Sequence, residues 1–282
     1  MYLVTGATGN SGSELVRILS RKGLPTRAFS NDEKPGDLPG GVEYVRGDYG
    51  DEGSVRHALE GVTRAYLLSP FSPSQVAHES SFVTAAEAAG VELVVKLSST
   101  TPDRRSRVLS PIHRGHGEIE ELIQQTKLNY VFLRPNYYMQ NFRFMAAGIA
   151  KENAVVAPAG NLRFGMIDTR DIAEVAAVCL QDAAFWNRRY LLAGAPITFH
   201  DVASELSRVL NRTVRYQPVP VEDFTRGLAA TMPTELVDVL ANEWRLAAAG
   251  GLSIFSDHVE LITGTKPRTF GQFVENHANL FA

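Results

Sequence analysis

Gly6, Gly9 and Gly12 recur at intervals of three, in the run Gly6-Ala7-Thr8-Gly9-Asn10-Ser11-Gly12. Glycine permits positive φ and lets a backbone come close to a ligand. The unpaired N–H groups and positive dipole end of a helix that follows such a turn attract an anion. The turn is therefore expected to seat the pyrophosphate of a dinucleotide. The spacing is G-x-x-G-x-x-G, not the G-x-G-x-x-G of the standard fingerprint, and three glycines alone also occur in ordinary loops. Further along, Ser98-Ser99 offers two hydroxyls, which either bind a substrate carbonyl or only cap a strand end. His116 and Glu120 are four apart, so a helix puts them on one face. There they either line a site, with His113 beside them, or lie on a charged surface with Glu118 and Glu121. Neither histidine has the company of ligands that zinc requires, so no metal is expected.

The elements that position these residues alternate. Tyr2-Leu3-Val4 reads as a strand, and Leu15, Ile18 and Leu19 share one face of the helix after the turn. Strands follow at Thr26 to Ser30, Val42 to Val45, Ala65 to Ser69, Val91 to Ser98 and Tyr130 to Arg134, the last stopped by Pro135. Helices are expected from Asp51 to Leu59, Ser74 to Ala89 and Ile112 to Thr126. This alternation predicts an α/β fold with a doubly wound parallel sheet and right-handed crossovers. Ligands of such folds bind at the carboxyl ends of the strands. One rim then gathers the glycine turn, Ser30-Asn31, Asp48, Leu68-Ser69, Ser98-Ser99 and Arg134-Pro135-Asn136.

The later chain is more mixed. A helix is expected from Tyr137 to Ile149, with Tyr137, Tyr138, Asn141 and Phe142 near its start. These aromatics either wall a flat, apolar substrate or form plain core. Short strands are expected at Val155 to Ala157, Phe164 to Asp168 and Arg189 to Ala193, with a helix capped by Asp168 or Thr169 and ending at Gln181. Four more helices are read at Thr198 to Leu210, Val221 to Ala230, Thr234 to Ala249 and Phe270 to Leu280. Residues 1–150 are thus assigned to the dinucleotide domain, with 154–194 adding strands and a helix, and 195–282 to a smaller, mostly helical substrate lobe.

With 44% hydrophobic and 21% charged residues and a net charge of −3, the composition is that of an ordinary soluble globular protein. It gives no reason to expect nucleic acid or an anionic membrane as partner. The single cysteine, Cys179, lies in an apolar helical stretch and excludes an internal disulfide. No leader or membrane span is read, because the first strand starts at once and no apolar run nears ~20 residues. A cytoplasmic monomer or homodimer is expected.

The chain resembles the NmrA-like group of atypical short-chain dehydrogenases/reductases, and within it the triphenylmethane-dye reductases and NADPH quinone reductases. The resemblance rests on Val4 to Gly12, Arg46-Gly47-Asp48-Tyr49, Tyr130 to Asn136, Asp168 to Ala173 and Leu261 to Phe270, and so spans almost the whole chain. It implies a Rossmann domain holding NAD(P), with Gly6, Thr8, Gly9, Asn10, Ser11 and Gly12 around the pyrophosphate. It also implies Asp48 beside the adenine, although a surface turn would equally use an aspartate. At the cofactor's 2′ end the chain has Asn31 where NADP(H)-binding relatives carry an arginine, and Ser30 at the preceding place, where NAD enzymes often carry Asp. Asp32 lies 20 residues past Gly12, near the interval of a ribose-binding acid. NADP(H) is expected over NAD(H) on family grounds alone. Typical short-chain dehydrogenases transfer a proton with a Tyr-x-x-x-Lys pair. Here Ile112 holds the tyrosine place and His116 the lysine place, so His116, Ser98 and Glu120 are the expected catalytic residues and Ser99 and His113 the substrate contacts. The resemblance implies hydride transfer from NAD(P)H to a planar, electron-poor molecule such as a quinone, dye, enone or imine. Its alternative is a non-catalytic redox sensor that binds the dinucleotide and regulates a partner protein.

Overall fold

The computed structural model describes residues 1–101, 111–229, 232–250 and 252–282. The first half runs β1 (Tyr2–Thr5), α1 (Asn10–Arg21), β2 (Thr26–Ser30), β3 (Glu43–Arg46), α2 (Glu52–Leu59), β4 (Arg64–Leu67), α3 (Gln75–Ala88), β5 (Leu93–Leu97), α4 (Pro111–Gln125) and β6 (Asn129–Pro135). After a 3-10 turn at Met139–Met145 come α5 (Ala146–Glu152), β7 (Ala154–Ala157), β8 (Phe164–Gly165), α6 (Thr169–Gln181), β9 (Arg188–Leu192) and β10 (Pro196–Ile197). The chain ends through α7 (Phe199–Leu210), β11 (Arg215–Pro218), α8 (Val221–Leu228), α9 (Thr234–Ala248), α10 (His258–Thr263) and α11 (Phe270–Asn276).

Seven strands form one sheet in the order β3-β2-β1-β4-β5-β6-β9, and every pair in it is parallel. The order reverses between β1 and β4, which opens the crevice where Rossmann folds bind ligands. The strands are apolar on both faces because each face carries a core. Val4, Tyr66, Val95, Val131 and Leu133 pack with α1 and α6. Leu3, Phe29, Leu67, Val94 and Phe132 pack with α2, α3 and α4. Cys179 is buried in α6. Among the described residues, no helix is long and apolar enough to cross a membrane.

The expected division at residue 195 needs correction. β7 pairs with β11 and β8 with β10, both outside the large sheet. Met139, Phe142, Val155 and Phe164 bury against Phe199, Val202, Trp244 and Phe270. Of the 154–194 stretch, Ile167, α6, Phe185, Trp186 and β9 serve the first domain, whereas β7 and β8 pair outside its sheet. α10 crosses the other way: Val259 and Ile262 join the α6 side of the sheet. The expected helix from Tyr137 also starts late. Ile167 N–H donates to Tyr137 O and Met139 N–H to Ile167 O, both at 2.9 Å, which holds Tyr138 extended. β11 and α10 escaped sequence reading because one is mostly exposed and the other is six residues long. The expected end of α8 at Ala230 lies outside the described residues.

Candidate functional site

The glycine turn closes as its residue types dictate. Gly6 has φ +59°, and its N–H-to-carbonyl partner across the turn is Gly9, whose N–H donates to Gly6 O at 3.0 Å. A Cβ on Gly12 would lie 2.2 Å from Gly6 O, so only glycine lets α1 begin this close to the turn. Gly9 caps α1 with extended backbone and no side chain fills the cap, nor is there an acid in the first turn. The first N–H groups of a helix have no partner within it. A pyrophosphate fits this uncapped, close-packed end in shape and charge. Asn10 keeps its amide at the surface, where Arg143 Nη1 donates to Oδ1 at 3.3 Å. Arg143, from the 3-10 turn, brings a cation to the seat that sequence reading did not assign. Ser11 presents only its backbone there. Its hydroxyl is buried against Tyr66 OH at 3.0 Å, because the second residue of α1 faces the sheet.

A cavity of about 590 Å³ continues from the turn across the ends of β1, β2, β3 and β4. That is within the usual range for a small-molecule site. Of the expected cofactor residues, Gly6, Thr8, Gly9, Ser30, Asn31, Asp48, Leu68 and Ser69 line it. Thr8 Oγ1 donates to Asp32 Oδ2 at 2.5 Å and lies 3.0 Å from Ser30 Oγ, so three side chains converge at the end of β2. No Lys or Arg is among the described residues lining this cavity, whereas Asp32 and Asp48 are. Arg46 stands nearby, but it is paired to Glu33 at 2.5 Å and donates to Asn31 O. The end of β2 is thus acidic where it meets the cavity. Asp48 also serves as a turn residue, its Oδ1 accepting from Gly50 N–H at 2.7 Å. Tyr49 and His78, not singled out from the sequence, stack as part of the wall with rings 10° apart in plane.

On the other side of the crevice, Ser98 and Ser99 follow β5, and the hydroxyls of both meet residues of α4. Ser98 Oγ donates to Glu120 Oε1 at 2.6 Å, and the Arg134 guanidinium grips both oxygens of that carboxylate. Glu120 is therefore not the partner of His116, although both lie on one face of α4. The guanidinium of Arg134 supplies two aligned donors, which a single imidazole N–H does not match. His116 is buried, and its Nδ1 has no hydrogen-bond partner. Burial above all, and then the charges of Lys96 and His113, hold its pKa well below the usual imidazole value, so the ring is neutral. Lys96 is itself fully buried in β5 and paired to Glu79 at 2.8 Å, and Glu79 also takes the Ser69 hydroxyl at 2.7 Å.

Ser99 turns to the second lobe. Its Oγ lies 2.9 Å from His113 Nδ1, and His113 Nε2 lies 3.0 Å from Glu243 Oε2 on α9. Pro135 O accepts from Thr100 Oγ1 at 2.5 Å. Asn136 is buried, and its Nδ2 donates to Leu252 O at 3.0 Å and Ile254 O at 2.7 Å, so it clamps the lobes together and leaves no free amide for a cofactor. Tyr137 and Tyr138 are half-buried, and Tyr137 sits among Phe142, Phe164, Phe199 and Trp244. Asn141 is half-buried. Phe142 is fully enclosed and belongs to the lobe core, where Phe270 packs on it at 4.8 Å, so it is not a substrate wall.

A parallel sheet whose reversal point holds an uncapped glycine turn defines a Rossmann-type dinucleotide-binding protein. Within that class, the chain belongs to the NmrA-like family, whose sequence model matches residues 2–273. It is 32% identical to NAD(P)H azoreductase from Xenophilus azovorans over 289 aligned residues, covering 100% of this chain and 99% of the relative. The NADPH-dependent quinone oxidoreductase of Escherichia coli, solved with NADPH, superposes with TM-score 0.88 at 27% identity, over 99% of this chain and 100% of that one. The Citrobacter sp. triphenylmethane reductase, solved with NADP(H), gives 0.86 at 26% identity, over 98% and 99%.

Proposed function

We propose that this protein is a reductase that moves hydride from NAD(P)H to a flat, electron-poor small molecule: a quinone, an azo or cationic dye, an enone or an imine. The observation that carries this reading is the uncapped turn of α1, facing across the crevice a rim of aromatics and hydroxyls that lacks the Tyr and Lys of alcohol-oxidising relatives. The activities of the azoreductase, quinone reductase and dye reductase relatives support the same chemistry. The bound dinucleotide supplies the hydride. The chain's own part is to bind and orient. The α1 N–H groups and Arg143 neutralise the pyrophosphate, and the cavity beyond them takes the adenosine half. Ser99, His116 and Tyr137 border the place for the acceptor. Hydride uptake by an electron-poor centre depends mostly on proximity and orientation, so it does not need a tyrosinate base.

We infer further that NAD(H) is preferred over NADP(H), against the expectation drawn from family resemblance. Asp32, held by Thr8 and Ser30, accepts ribose hydroxyls well and repels a 2′-phosphate. Replacing Asp32 by Asn should raise the NADPH/NADH ratio of kcat/KM about tenfold, equivalent to removing roughly 1.4 kcal/mol of repulsion. Steady-state consumption of each dinucleotide with a quinone reads this directly, and an unchanged ratio removes Asp32 from the 2′ site. Tight binding of the oxidised dinucleotide without turnover of any acceptor would favour the sensor alternative.

A further inference from the structure

Ser99, His113 and Glu243 form a chain of hydrogen bonds that starts at the rim of the sheet and ends at solvent. Ser99 and His113 are buried, with 8% and 3% of their surfaces exposed, while the Glu243 side chain is 25% exposed. The links are 2.9 Å and 3.0 Å. They join three elements, the end of β5, the first turn of α4 and the middle of α9, and so span both lobes. Both ring nitrogens of the buried imidazole are thereby partnered, one on each lobe's side. The neighbouring serine, Ser98, donates to Glu120, which Arg134 also holds. Glu243 adjoins Trp244, whose ring stands 6.0 Å from that of Tyr137.

We propose that Ser99, His113 and Glu243 are a proton relay that serves acceptors needing a proton, with Ser99 as the catalytic donor and His113 and Glu243 as positioning residues. This rests on the reductase reading. Reducing a quinone or an azo bond takes one hydride, with its electron pair, from the reduced dinucleotide and one proton. The Ser99 O–H bond breaks as the second acceptor atom gains its proton. His113 Nδ1–H passes its proton to the serine oxygen while Nε2 takes one from solvent past Glu243, and tautomer exchange then returns the ring to its Nδ1–H form. A cationic triarylmethane dye is different. Its central carbon takes hydride and becomes neutral, and no proton enters. The same active site should therefore depend on the relay for one class of acceptor and not for the other.

The test compares Ser99→Ala, His113→Phe and Glu243→Gln with the unaltered protein on a benzoquinone and on a cationic triarylmethane dye. The quinone-to-dye ratio of kcat is expected to fall about a hundredfold in Ser99→Ala, within the range of general acid catalysis. An unchanged ratio, whether both rates hold or fall together, overturns the relay. Unaltered protein inert toward both acceptors overturns the reductase reading and takes the relay with it. The same quinone-to-dye ratio should fall, though by less, in His113→Phe and Glu243→Gln, and a ratio unchanged in both overturns the relay.

Discussion

The two histidines of α4 differ because of what surrounds them, three residues apart on one helix. His113 bridges a hydroxyl and a carboxylate, whereas His116 is sealed in with an unpartnered Nδ1 beside the Lys96 ammonium. A buried neutral imidazole has a consequence for stability. The unfolded chain takes up a proton near the ordinary pKa of about 6.5, and the folded chain does so only at lower pH. Between those two values the unfolded state binds more protons, so stability falls as pH falls below about 6.5. The melting temperature of the wild type should therefore drop more between pH 7.5 and 5.5 than that of His116→Gln. Parallel slopes in the two melting series would show that His116 titrates alike in both states. Residue types at these places were legible in the sequence, but their partners were not. Glu120 reads as the natural mate of His116 from helical spacing, and Arg134 takes it from a strand that spacing cannot register.

At the scale of elements, the junction of β1 and α1 is set by backbone proximity. Gly12 admits no Cβ against Gly6 O, so Gly12→Ala must push α1 away from the turn. Overpacking of this kind costs about 1–3 kcal/mol. Here the displaced helix is also the proposed anion seat, so the Kd for NADH should rise at least about tenfold. Fluorescence titration of NADH measures it, and undiminished affinity would place the pyrophosphate elsewhere. This junction, the parallel sheet and the helices flanking it could be read from the sequence because their signals are local: apolar runs, a glycine triplet and caps such as Asp51 and Asp168. The extended Tyr138 and the paired β7 and β11 could not. Their hydrogen bonds go to residues far along the chain, and local periodicity carries no trace of them.

At the scale of the whole molecule, two lobes with separate cores are held in register by a few buried polar groups. Asn136 donates to two carbonyls of the second lobe, and Arg268 is held by Asp171 and Glu174 of α6. Asn136→Ala would leave both carbonyls without a donor, at a cost of about 2 kcal/mol, or roughly 4–8 °C in Tm. Calorimetry should show that loss, together with a higher KM for the acceptor, since Ser99 and Glu243 sit on opposite sides of the clamp. An unaltered Tm would mean that the lobes do not depend on it. The boundary misread at residue 195 has the same origin. Segments 139–166 alternate in sequence with the sheet's own strands, yet their apolar faces fit the second core.

The burial of Cys179 has a chemical consequence under the proposed reductase reading, in which quinones are acceptors. Quinones arylate thiolates by conjugate addition, and an enzyme releasing them beside an open cysteine would inactivate itself. The chain has one cysteine, inside α6 with none of its surface exposed, and burial pushes its thiol up to about 12. At neutral pH that sulfur is protonated and out of reach, so electrophilic acceptors can turn over here without consuming the catalyst.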